Sequence, residues 1–180
     1  MKMKLLKNLL ICKKNYALFL LLLNFFFCNL YSQQLAFPSA VGAGAYTTGG
    51  RSLGVYHVTN LNDSGTGSFR QAVSDADNAG GGTIVFDISG VIVLNSVLGF
   101  TDNLTIAGQT APDGGITIDG ERVFVGGIDN LIVRHIRFKG GIDANNDSLT
   151  VRNDVTNQIW DHCSFAFGDD EGASWYETQS

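Results

Sequence analysis

Cysteine is almost missing from this chain. Two of its three cysteines, Cys12 and Cys28, lie before Gln33, and only Cys163 follows. The remainder therefore cannot close an internal disulfide. Cys163 sits in an apolar run and is expected as a small buried hydrophobe rather than a nucleophile. Basic charge is scarce as well. Of 12 lysines and arginines, Lys2, Lys4, Lys7, Lys13 and Lys14 also come before Gln33. Residues 33–180 keep 7 basic residues against all 17 acidic ones, a formal charge of −10. That balance argues against a nucleic-acid partner, whose phosphates need a basic surface. It suits a hard cation such as calcium, which takes carboxylate oxygens, or plain surface solubility. A long apolar run is also absent. Tyr16 to Phe27 is a run of about a dozen residues, short of the roughly 20 that span a bilayer.

The basic start, short apolar core and polar stretch from Asn29 to Gln34 read as a secretory signal peptide over residues 1–32. Cleavage is expected after the small Ser32, with Leu30 a less usual residue three places from the cut. A retained anchor is the rival reading. Lipid attachment at Cys28 is disfavoured because Phe25, Phe26 and Phe27 stand where small residues are needed. The mature protein is expected outside the cytoplasm, extracellular or periplasmic, and free of the membrane.

What the chain does have is a repeat. Asn103, Asn130 and Asn157 recur at an even interval of 27, and each opens a short apolar run. A fixed period of this size, with a strand pattern in each unit, marks a solenoid. The runs are short and β-branched, and Gly, Asn and Asp interrupt them. The fold class is therefore all-β, a parallel β-helix. Residues 33–82 form an N-terminal strand and cap-helix region, and residues 83–180 the rungs. Gln34 to Gly54, rich in small residues, is expected to wrap the entrance. Phe69, Ala72, Val73 and Ala76 have the spacing of one helix face, and Gly80 to Gly82 ends that helix. A single amphipathic helix here caps the first rung.

Sliding the sequence by 27 stacks Ile106, Val133 and Trp160, and places Ile136 under Cys163 and Phe138 under Phe165. Val133, Ile136 and Phe138 all point inward, so the alternation slips at Arg134-His135, which marks a corner. Arg134 then faces Asp161, and His135 faces His162. With strands about 4.8 Å apart, the first pair can bond across rungs. Asp161 and His162 read as scaffold on this basis, and the three asparagines as a ladder of turn amides. The next asparagine would fall near position 184, past Ser180. The solenoid is thus expected to be incomplete at its C-terminus, the front part of a longer protein.

Carboxylates cluster at Asp143 to Asp147 and at Asp169, Asp170 and Glu171. On neighbouring rungs they would supply several of the six to eight oxygens calcium takes. Ala36-Phe-Pro38, Gly49-Gly-Arg51, Val55 to Gly65, Gly67 to Val73, Thr83 to Asp87, Thr105 to Pro112, Ile136-Arg-Phe138 and Trp160 to Ser164 together resemble secreted bacterial pectate lyases. The Ala107-Gly-Gln-Thr-Ala-Pro112 and Trp160-Asp-His-Cys-Ser164 runs are the specific parts.

This resemblance implies a right-handed, pectin-lyase-like helix, monomeric at full length, that cleaves polygalacturonate by β-elimination with Ca2+. Asp147 matches one calcium ligand, and Asn145 falls where a second aspartate is often found. Asp169, Asp170 and Glu171 match the stretch that gives a further ligand, with the choice among them open. Asp161 and His162 match a motif beside the site. The family's base is an arginine lying further along than Ser180, and Arg134, Arg137 and Arg152 do not match it. Little or no turnover is expected from these 180 residues alone. The alternative is a β-helical carbohydrate-binding or cell-surface protein without catalysis, using exposed aromatics such as Trp175 and Tyr176. A β-helical glycoside hydrolase would need two flanking carboxylic acids, and a pectin lyase would dispense with calcium.

Overall fold

A computed structural model describes residues 33–140 and 147–176. The expected signal peptide, together with Asp143 and Asn145, lies outside the described residues. β-branched segments broken by glycine and asparagine favour extended strands with tight corners. In chain order these are β1 (Gly54–Val58), the helix α1 (Phe69–Asn78), β2 (Gly82–Phe86), β3 (Gly90–Leu94), β4 (Leu98–Gly99) and β5 (Leu104–Ala107). Then come β6 (Ile116–Gly120), β7 (Val123–Gly126), β8 (Asp129–Arg134), β9 (Ile136–Lys139), β10 (Leu149–Arg152), β11 (Thr156–Asp161), β12 (Ser164–Ala166) and β13 (Ala173–Trp175). The first sheet runs β1-β2-β5-β8-β11, the second β3-β6-β9-β12, and the third β4-β7-β10-β13. All these pairings are parallel. From β2 onward each turn of chain gives one strand to each sheet, which is the parallel β-helix the repeat predicts.

The inward columns are in register. Ile84, Ile106, Val133 and Trp160 pair in sequence across the first sheet, and Phe138 pairs with Phe165 in the second. The core they enter is continuous from Val58 to Val155. Corners are made by residues in the left-handed region: Asn103, Asn130 and Asn157 at one, His135 and His162 at another. Asparagine tolerates that conformation better than other non-glycine residues. The phase slip between Val133 and Ile136 is thus a left-handed His135 inserted between two inward side chains. The amide ladder is shorter than the spacing suggests. Asn130 Nδ2 donates to Asn103 Oδ1 at 2.8 Å, but Asn157 Nδ2 turns to Asp129 Oδ1.

The cap helix follows its sequence closely. Ser68 accepts from the Gln71 amide at its start. At its end Gly81 donates to the Ala76 carbonyl and Gly80 to that of Asp77, the paired bonds of a Schellman stop with Gly80 left-handed. Phe69, Ala72, Val73 and Ala76 are buried, and the Phe69 ring meets Phe86 and Phe100. Arg70 pins the helix to Asp63 and to the carbonyls of Ser96 and Val97.

The small-residue segment before β1 departs from expectation. It does not merely wrap the entrance; it runs along the outer face of the first sheet. Gly50 lies against Gly82, Gly49 against Thr105 and Ile132, and Gly44 against the carbonyl of Gln158. Asn130 Oδ1 accepts from the amides of Thr48 and Gly49. The reason is apolar: Ile132 and Ile159 point outward, and Ala40 and Ala45 cover them. A Cβ at Gly44 would collide with Gln158, so Gly44→Ala should lift this strap. A loss of about 1–3 kcal/mol in denaturant unfolding is expected, with amides of β11 exchanging faster.

Candidate metal and carbohydrate site

Asp147 lies just before β10 and Glu171 just before β13. The pairing of Leu149 with Ala173 sets these two carboxylates one above the other on neighbouring turns. Oxygens of Asp147, Asp170 and Glu171 come within 4.8 Å of one another. Asp169 falls outside this group. Asp147 is buried, Asp170 and Glu171 exposed. Asp147 accepts from Thr150 Oγ1 at 3.1 Å and from the Glu171 amide at 3.2 Å. Ser148 Oγ donates to the Gly172 carbonyl across the turns, and Ser174 Oγ donates to Glu171.

Burial opposes ionisation of Asp147, but hydrogen bonds from Ser174, the Glu171 amide and Thr150 outweigh it and hold the carboxyl below its ordinary range. The opposite holds for Glu171. Its hydrogen bond to Asp147, and then the charge of Asp170, push it up. The two shifts run in opposite directions, as expected of neighbouring carboxylates that interact. Three carboxylates this close, with a buried member kept ionised by neutral donors, suit a hard divalent cation. Sequence reasoning missed Thr150 and Ser174, because nothing in their spacing separates them from ordinary strand residues.

The second group is His135, Asp161 and His162. Here both carboxylate oxygens are already engaged. Arg134 Nε donates to Asp161 Oδ2 at 2.7 Å, and His162 Nδ1 lies 2.8 Å from Oδ1. The two imidazoles stack at 4.6 Å with 13° between their planes, and the Arg134 guanidinium covers the Phe37 ring at 3.8 Å. Burial, then the charges of His162 and Arg134, lower the His135 pKa. A neighbouring guanidinium disfavours a bound cation, so this group joins the strap, the first sheet and the corner as scaffold. A groove of about 320 Å³ beside it is lined by Gln109, Pro112, Asp113, His135, Arg137 and His162.

Trp175 is 43% exposed, as the sequence reading expects, and its ring also closes on the core. Trp175 pairs in register with the inward Val151, and its ring meets Trp160 and Phe165 edge-on at 6.0 and 5.5 Å. Tyr176 does face outward, beside Arg152. Cys163 is partly buried and its thiol pKa is raised, chiefly by burial, as befits a core residue.

Fold and site together define a parallel β-helical protein with a cation-suited carboxylate cluster on one sheet. Sequence comparison supplies the relatives. The chain is 42% identical over 155 residues to a protein of Aspergillus terreus named probable pectate lyase C, covering 85% of this chain and 36% of that protein. Proteins of the same name from Emericella nidulans and Aspergillus fumigatus are each 43% identical, over 146 and 148 residues. The chain is thus related in sequence to the pectate lyase C proteins, and spans about a third of their length. No family model matches it. These relatives are fungal, so the likeness supports the pectate lyase part of the sequence reading and not its bacterial part.

Asp161 offers a pH test. Burial opposes its ionisation, but the bonds and charges of Arg134 and His162 prevail and hold its pKa below the ordinary value. Its stabilisation is therefore fully present above the unfolded value near 4 and lost as pH falls through the lower folded value. Asp161→Asn should cost roughly 1–3 kcal/mol at pH 7. It should also flatten the fall in stability below about pH 4, as followed by thermal melts across that range.

Proposed function

We propose that this chain forms part of a pectate lyase, holding calcium and the acidic polysaccharide along its third sheet. The observation that carries the reading is the stacking of Asp147 on Glu171, with Asp170 beside them, in a chain related to proteins named pectate lyase C. Asp147, Asp170 and Glu171 are the residues that would hold the ion. Bound there, calcium would neutralise a uronate carboxylate and make the neighbouring C–H proton easier to remove. Thr150 and Ser174 keep the carboxylates aimed at a common point. Arg134 and Arg137 are tied to scaffold partners, so neither is a suitable proton acceptor. We place the arginine base elsewhere in the protein, and the site of action outside the cytoplasm after removal of residues 1–32.

A non-catalytic carbohydrate-binding role is the second reading. It is favoured by the absence of an unencumbered base near the cluster among the described residues. Release of unsaturated uronides separates the two: a lyase produces them from polygalacturonate in a calcium-dependent way, a binding protein does not.

Two outcomes are expected from calcium titration calorimetry. Asp147→Asn should weaken binding by at least about tenfold, since it removes the buried charged ligand. Binding to the unaltered protein should weaken as pH falls through the carboxylate range, because the raised pKa of Glu171 lets protons compete with the ion.

A further inference from the structure

The corner between the first and second sheets holds a group of charges that the proposed site does not use. His135 and His162 take the same left-handed position on neighbouring turns, and their rings stack at 4.6 Å with 13° between planes. Arg134 and Asp161 stand one residue before them and pair at 2.6 Å. Each of these two side chains is only 19% exposed, whereas His162 is 65% exposed. The groove beside the rings opens them to water. A shielded ion pair is thus joined to an imidazole pair that protons can reach.

The same guanidinium clasps the strap. It lies 3.8 Å from the centre of the Phe37 ring, a cation–π contact that its shielded position strengthens. Phe37 packs with Leu35 and Ala36 on the apolar group of Ala40, Ala45, Ile132 and Ile159. Arg51 donates to the Leu35 carbonyl, and the Ala36 amide to that of Ala45. Of these ties, the Phe37 clasp is the one that adjoins the imidazoles.

Neutral imidazoles leave the corner balanced. Arg134 faces Asp161, and Arg137 and Asp113 line the groove with opposite charges. The Cys163 thiol, its pKa raised chiefly by burial, adds none. One proton on the rings can be met by Asp161, whose Oδ1 lies 2.8 Å from His162 Nδ1. A second sets two imidazoliums face to face beside Arg134, and like charges this close repel. Burial, then the charges of His162 and Arg134, accordingly lower the His135 pKa. A histidine of this kind stabilises the fold above its unfolded value near 6.5, and that contribution is lost as pH falls from there through the lower folded value.

We propose that the stacked His135–His162 pair is an acid-responsive latch for the strap. Protonation of both rings repels Arg134 from its place on Phe37, and residues 35–47 lift from the outer face of the first sheet. Thr48 and Gly49 stay tied to Asn130, so the segment hinges there and bares Ile132 and Ile159. The latch works between about pH 7 and pH 5, above the range in which Asp161 is protonated. It does not depend on the calcium or polysaccharide reading.

The test is hydrogen exchange of the full chain at about pH 7.5 and about pH 5, corrected for the intrinsic effect of pH. The amides of Ala36, Ala40 and Ala45, which are hydrogen-bonded within the strap, should lose protection about tenfold or more at the lower pH. Those of α1 should keep theirs. His135→Asn, which accepts the left-handed backbone and takes up no proton, should remove most of the difference. His162→Asn should do the same, and is read instead if the first variant melts early. Phe37→Leu, which removes the clasp and keeps the imidazoles, should leave the strap poorly protected at both pH values. Strap protection that is equal at the two pH values in the unaltered protein overturns the latch. A loss that persists undiminished in both histidine variants overturns it as well, since another group then carries the effect.

Discussion

Parallel stacking of one turn on the next is the constraint on which everything else depends. A strand in this solenoid satisfies its amides and carbonyls only through the turns above and below it. Each turn must therefore repeat the in-out pattern of its neighbour, or polar groups enter the core and apolar ones leave it. The column of Ile84, Ile106 and Val133 is the direct result. So is the reuse of left-handed corners at Asn103, Asn130 and Asn157 and at His135 and His162. A corner that flips one residue moves the chain to the next sheet without disturbing the column beneath.

The same stacking builds the candidate site. Asp147 has Thr150 and Glu171 has Ser174 within its own turn, but the two carboxylates lie on different turns. They meet because β10 and β13 pair with Leu149 opposite Ala173, an interval of 24 along the chain against the 27 of the first sheet. Stacking brings like groups together as readily as apolar ones, and the hydrogen bond to Asp147, then the charge of Asp170, raise the Glu171 pKa. At the opposite corner, Asp161 is balanced by Arg134 and His162. The balanced carboxylate is tied into the fold, and the unbalanced group is the one proposed to hold a ligand.

Much of this was legible in the sequence, for reasons that can be named. The asparagine period, the helix face from Phe69 to Ala76 and the slip at Arg134-His135 are local patterns, and local patterns survive in a one-dimensional reading. What stayed hidden depends on distance along the chain. The strap from Ala40 to Gly50 is made of small residues without periodicity. Its position is set by Asn130, Ile132 and Ile159, far along the chain. The choice among Asp169, Asp170 and Glu171 was also illegible. A shift of 27 from Asp147 points to Ser174, and only the shorter turn leading into β13 brings Glu171 opposite. The ring contacts of Trp175 were hidden for a similar reason: the residue is 43% exposed, as expected, yet its register is that of an inward residue.

The central claim is that the third sheet presents a cation site made by Asp147, Asp170 and Glu171. The most direct measurement is a crystal structure of the protein soaked in calcium, with anomalous difference density to locate the ion. The account predicts a peak coordinated by Asp147 and Glu171 oxygens at about 2.4 Å. A saturating soak that leaves this position without density, or that puts the ion at Asp161 and the imidazole pair instead, would contradict it.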